Sequence, residues 1–131
     1  MTPSTTPQYL QSLIQKAAED PDILAVVLFG SHARGEARAD SDVDICLMLM
    51  PAVGGAKAAF DKRLATMAEF NIDAHIYQYV PLYIRQRILK EGKLLFCRDE
   101  EKMYEIACQT ITEFADYEHI YRDYLKEVSR G

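Results

Sequence analysis

Two apolar runs, ILAVVLF at 23–29 and VDICLMLM at 43–50, are joined by a single short polar link, GSHARGEARADSD. Both runs read as buried strands, rich in β-branched and long aliphatic side chains. A parallel pair needs a crossover long enough to hold a packed helix, and this link has no room for one. The two strands are therefore expected to be antiparallel neighbours in a mixed sheet, not members of a doubly wound parallel one.

The remaining pattern supplies the covering helices. Residues 7–20 place Leu10, Leu13, Ile14 and Ala17 at helical spacing, with Pro7 suited to a first turn. The stretch 31–37 reads as a short helix or turn. After Pro51 and the Gly54-Gly55 pair, residues 56–70 read as a helix burying Phe60, Leu64, Met67 and Ala68. Residues 71–80 read as a strand, and Pro81 opens a helix that runs to Lys90 and ends at Gly92. A strand over 93–97 follows, and Asp99 is placed to cap a final helix reaching about Val128. The expected fold is α/β in the α+β sense: a mixed four-stranded sheet covered by helices, with a long C-terminal helix. Length is that of one domain over 1–131, with residues 1–6 a polar, frayed lead.

Composition excludes several function classes. Apolar residues make up 49% and charged residues 27%, a globular balance and not a disordered one. A net charge of −5 argues against bulk binding to nucleic acid or anionic membrane, while leaving room for a local basic pocket. Cys46, Cys97 and Cys108 show no C-x-x-C spacing, and the opening MTPSTTPQYL, with neither a basic start nor an apolar block, is not expected to be a signal peptide. They are expected to be reduced thiols in a cytoplasmic protein, with Cys46 and Cys97 in the core. His32, His75 and His119 are scattered, so a zinc site is not expected. No apolar run approaches the length of a membrane span.

The chemistry sits around the short link. Asp42 and Asp44 alternate onto one face of the second strand, about 7 Å apart along the backbone. Two like charges that close favour a cation between them, and hard oxygen donors favour Mg²⁺. Asp73 lies in "FNIDAHIYQYV" among Ile72, Ala74 and Ile76, which alternate onto the opposite face. A carboxylate inside such a strand is costly unless it is paired, ligated or at a sheet edge. If its strand neighbours Asp42-Val43-Asp44, Asp73 joins the metal site and is placed to accept a proton. Gly30 permits positive φ or a close backbone approach, and Ser31 with the following N–H groups offers a phosphate cradle. Arg34 and Arg38 add positive charge at the same mouth. Taken singly, these features also read as a solvated strand start and a plain turn. Gly-Ser followed after ten residues by Asp-x-Asp arises by chance in about one chain per thousand at ordinary composition.

In that combination the chain resembles nucleotidyltransferases of the DNA polymerase β type, and among them the minimal nucleotidyltransferase (MNT) domains. The matching residues are Gly30, Ser31, Arg34-Gly35, Ser41-Asp42 and Asp44, with a looser likeness over "YIRQRILKEGKLLF" at 83–96. The resemblance implies that Gly30, Ser31 and Arg34 hold the triphosphate of ATP. It implies that Asp42 and Asp44 bind two Mg²⁺ ions, with Asp73 as third carboxylate and base. The implied reaction moves AMP from ATP to an acceptor hydroxyl and releases pyrophosphate. The short chain leaves little room for the extra helical domain of aminoglycoside-type relatives. The resemblance therefore implies an antitoxin that adds AMP to a tyrosine of a HEPN ribonuclease toxin. The alternatives are an antitoxin acting by binding alone and a small-molecule nucleotidyltransferase, in the latter case as a homodimer.

The last helix bears on the partner. Met103, Ala107, Thr110, Phe114, Tyr117, Tyr121, Tyr124 and Val128 recur four and three residues apart, forming one seam. Its first half is expected to pack on the sheet. Its distal aromatics read either as further core or as an edge for a partner.

Overall fold

The computed structural model describes residues 8–30 and 43–130. β1 (Ile23–Phe29) and β2 (Asp44–Leu49) pair antiparallel, with Val27 opposite Cys46 and Phe29 opposite Asp44. The longer stretch after β2 holds a helix, α2 (Ala56–Phe70), and so returns the chain parallel: β3 (Asp73–Ile76) lies beside β2 in the same direction. β4 (Lys93–Cys97) closes the other edge, antiparallel to β1, giving the order β3-β2-β1-β4. With α1 (Gln8–Glu19), α3 (Leu82–Glu91) and α4 (Glu100–Arg130), this is the expected mixed sheet covered by helices.

Both faces of the sheet are buried. Leu10, Leu13 and Ala17 of α1 and Ala59 of α2 pack on Val26, Ile45 and Leu47. On the other face Ile88 of α3, with Met103 and Ile106 of α4, covers Leu24, Val27, Cys46 and Met48. That double burial is why β1 and β2 read as continuous apolar runs. It also pushes the Cys46 thiol pKa up, away from reactivity. Cys97, expected in the core, is only half-buried because β4 is an edge strand.

Two expected elements differ. The strand read over 71–80 ends at Ile76, and Tyr77–Tyr79 form a 3₁₀ turn. There the Gln78 side chain replaces the ladder: its amide nitrogen donates to the Leu49 carbonyl at 2.8 Å, and its oxygen accepts from the Leu49 N–H at 3.2 Å. In α2, Phe60 and Leu64 are exposed, Ala68 is exposed and Met67 is half-buried, while Ala59 and Thr66 are buried. The helix is rotated because its polar residues have tertiary partners. Lys62 Nζ lies 2.6 Å from Asp20 Oδ2 and 3.5 Å from Asp22 Oδ2, and Arg63 Nε donates to the Ala74 carbonyl at 2.6 Å.

The Asp20–Lys62 pair carries a pH signature. Burial alone raises the Asp20 pKa, but the Lys62 contact, a backbone hydrogen bond and Arg98 outweigh it and hold the carboxyl below its ordinary value. A depressed carboxylate stabilises the fold above its unfolded pKa, about 3.9, and loses that contribution as pH falls through the folded value. Lys62 is raised, so its share is present below about 10.4 and is lost as pH rises through its folded pKa. Asp20→Asn is expected to cost about 1 kcal/mol at pH 7. Urea unfolding should show that difference shrinking below about pH 4.

A second long-range tie comes from Arg98. Its guanidinium donates to the carbonyls of Ala17, Ala18, Asp20 and Ile23 at 2.9–3.0 Å, closing the C-terminus of α1. A cation is favoured there by the helix dipole as well as by the orphan carbonyls. Arg98→Ala is expected to cost about 2–3 kcal/mol, read as a melting point about 10 °C lower. Arg98→Lys should recover less than half, since an ammonium cannot span four carbonyls.

At the start of α4, Asp99 accepts from the Lys102 N–H at 3.2 Å, the expected cap. Further along, buried Thr110 hydrogen-bonds the hydroxyl of buried Tyr77, and Arg85 sits 3.6 Å from Glu113. From Ala115 to Ser129 every side chain is exposed. A helix of 31 residues spans roughly 46 Å, longer than the sheet it covers. The distal aromatics therefore do not serve as core in this chain. No helix among the described residues is long and apolar enough to cross a membrane.

Candidate functional site

The strand directions bring the site together. Because β1 runs against β2 while β3 runs with it, β1 ends where β2 and β3 begin. Asp44 and Asp73 are in-register partners at that end, so their side chains share one face. His75 follows Asp73 by two and joins them. One ligand atom from each of Asp44, Asp73 and His75 lies within 4.8 Å of the others. His75 Nε2 is 3.3 Å from Asp73 Oδ2, and the imidazole meets the Phe29 ring edge-on with centroids 5.6 Å apart. All three are half-buried, open enough for a ligand to reach.

Gly30 is fitted to the same corner. Its φ is +78°, the left-handed region that favours glycine. A Cβ added there would lie 2.5 Å from Asp44 Oδ2. Glycine is thus required both by the turn and by the approach of the Asp44 carboxylate. Of the residues read from sequence, Gly30, Asp44 and Asp73 converge. Ser31, Arg34 and Asp42 lie outside the described residues.

Sequence reasoning missed two parts of this corner. His75 is one of three scattered histidines, yet Asp-x-His on a strand places both side chains on one face. A cleft of about 570 Å³ also opens beside His75, lined by Lys57, Phe60, Arg63 and Tyr79 among others. It lies between α2 and the 3₁₀ turn, and its volume is that of a small-molecule site. No short motif marks it, because its walls come from two separated segments.

Two carboxylates and an imidazole nitrogen within mutual reach are a donor set that fits a divalent cation. Without one, the paired carboxylates repel. With one, the corner has the elements for stabilising charge on a phosphoryl group.

Comparison with known proteins agrees with this geometry. Residues 11–101 match the family model described as polymerase beta, nucleotidyltransferase. A protein of Methanocaldococcus jannaschii named "Putative protein adenylyltransferase" is 30% identical over 106 residues, covering 81% of this chain and 75% of the relative. Among solved structures, a chain of a toxin–antitoxin complex crystallised with AMP-PNP superposes with a TM-score of 0.66 at 17% identity, covering 92% of this chain and 95% of that one. A chain from the Shewanella oneidensis complex of tri-AMPylated HEPN toxin with MNT antitoxin gives 0.64 at 17% identity, covering 92% and 97%. At such identities the structural likeness is one of fold. The family model spans well over half of the chain and includes every strand that forms the acidic corner. The chain therefore belongs to the polymerase beta nucleotidyltransferases.

Proposed function

We propose that the protein transfers AMP from ATP to a hydroxyl of a protein partner, as an antitoxin modifying a tyrosine of a HEPN-type toxin. The observation that carries this reading is the in-register pairing of Asp44 with Asp73 against the Gly30 turn. Asp44 and Asp73, with Asp42, would hold Mg²⁺, two ions being the complement expected for the family. The chemistry such an ion would supply there is Lewis-acid stabilisation of charge on the transferring phosphoryl group. Gly30, Ser31 and Arg34 bind the triphosphate. The acceptor oxygen forms a bond to the α-phosphorus, the α–β bridging bond breaks, and pyrophosphate leaves. Asp73 accepts the proton of the acceptor hydroxyl. The cleft beside His75 offers Phe60 and Tyr79 rings with Lys57 and Arg63 cations, a lining suited to a nucleotide. Use of ATP supports a cytoplasmic location.

A protein acceptor is supported by the name of the Methanocaldococcus relative and by the toxin–antitoxin complexes that share the fold. It is supported independently by the exposed apolar side chains of distal α4. That same helix favours a second reading, neutralisation by binding alone. Incubation with α-labelled ATP, Mg²⁺ and the co-expressed HEPN-type protein tests the proposal. Label on a partner tyrosine is expected. Label only on small hydroxylated compounds would replace the protein acceptor with a small one, and no label anywhere leaves binding as the function.

A further inference from the structure

We propose that His75 is a nitrogen ligand of the metal site and biases that site toward Mn²⁺ over Mg²⁺. The inference rests on the reading that Asp44 and Asp73 hold a divalent ion, and it adds a ligand that the Gly-Ser and Asp-x-Asp pattern does not contain.

Three observations carry it. First, a His75 ring nitrogen lies within the same 4.8 Å cluster as the carboxylate oxygens of Asp44 and Asp73. Second, strand geometry leaves His75 little choice of face: the residues on either side, Ala74 and Ile76, are fully buried or nearly so, and Ile76 belongs to the opposite layer. Third, the edge-on Phe29 ring restrains the imidazole, so Nε2 is held toward Asp73 at 3.3 Å. A ligand whose ring orientation is fixed by packing loses little entropy on binding a metal.

The donor chemistry then sets the preference. Mg²⁺ is a hard ion that keeps oxygen ligands and retains water. Imidazole suits transition ions, and Mn²⁺ accepts carboxylate oxygens and imidazole together while keeping octahedral geometry. An all-oxygen site also binds Mn²⁺ somewhat more tightly than Mg²⁺, so the absolute ratio does not identify the imidazole. The change in that ratio when the nitrogen is removed does.

The test is metal binding to the full chain, followed by Mn²⁺ electron paramagnetic resonance and by calorimetric titration of each ion. Pulsed spectra of the Mn²⁺-loaded protein should show ¹⁴N modulation from a coordinated imidazole, absent in His75→Gln. The Mn²⁺ affinity of that variant should fall about tenfold or more, with Mg²⁺ affinity changed by less than about twofold. Absence of ¹⁴N modulation in the unaltered protein overturns the inference, as does an equal loss for both ions. The unaltered protein decides the spectroscopic arm even if His75→Gln folds poorly, and His75→Asn provides a second variant. If neither ion binds the unaltered protein, the reading of Asp44 and Asp73 as metal ligands falls as well. If both bind without nitrogen coupling, only the role of His75 is lost.

Discussion

The Asp44→Asn/Asp73→Asn double variant is expected to lose AMP transfer by about 10³-fold or more, as measured by label incorporation from α-labelled ATP. The figure follows from the charge that must be stabilised on the transferring phosphoryl group: several kcal/mol of Lewis-acid stabilisation corresponds to at least three decades in rate. Each single substitution should cost nearly as much as the pair, because groups that act as one unit are strongly non-additive. The loss will not come from unfolding. Asparagine keeps the shape of aspartate, and both side chains lie at the half-buried end of the sheet, outside the two apolar layers. Asparagine also keeps one oxygen acceptor at each position, so the melting point of the metal-free protein should stay within a few degrees. Residual transfer within tenfold of the unaltered protein would remove Asp44 and Asp73 from the reaction. If transfer is lost while cells remain protected from the partner toxin, binding alone accounts for neutralisation.

The second large effect is expected on distal α4. Tyr117, Ile120, Tyr121, Tyr124, Leu125 and Val128 are 46–67% exposed, on a stretch from Ala115 to Ser129 in which every side chain is exposed. A helical segment of this length is marginal in isolation, so an exposed apolar stripe of this kind gains stability from a partner. The flanks indicate the character of that partner. Between residues 113 and 129, Glu113, Asp116, Glu118, Asp123 and Glu127 outnumber Arg122 and Lys126. A second copy would set this acidic segment against itself, whereas a basic surface would complement it. Tyr117 and Tyr121 already stack with ring planes 7° apart, presenting a rigid aromatic pair. Tyr121→Ser/Tyr124→Ser is expected to weaken binding of the HEPN-type protein about 10³-fold, two aromatic anchors each contributing about 2 kcal/mol. Calorimetry of the complex would read the loss, and the free protein should melt unchanged. Unaltered affinity with a melting point about 10 °C lower would instead return these tyrosines to a stabilising role within the chain.

Much of the fold was legible because its signals are local. The link from Phe29 to Asp44 was too short for a crossover, and an antiparallel pair followed. Asp99 capped α4, and Gly92 closed α3 with its N–H on the Ile88 carbonyl at 2.8 Å. What failed were inferences from apolar spacing where polar partners intervened. Apolar spacing alone puts Phe60 and Leu64 in the core, but Lys62 and Arg63 have partners across the fold, and those contacts set the rotation of α2. The strand read through Val80 stopped early because the Gln78 side chain substituted for backbone pairing with Leu49. In both cases the deciding partner lies far along the chain.

The acidic corner divides along the same line. Strand alternation, a property of the backbone alone, put Asp73 and His75 on one face and Ala74 and Ile76 on the other. The demand for glycine at residue 30 was equally visible, as the end of an apolar run before a turn. Only the tertiary structure placed β3 beside β2 in the register that sets Asp73 against Asp44, and only it brought His75 into their reach. Periodicity is written into each segment by backbone geometry. Neighbourhood and register between segments are settled by how the whole core packs.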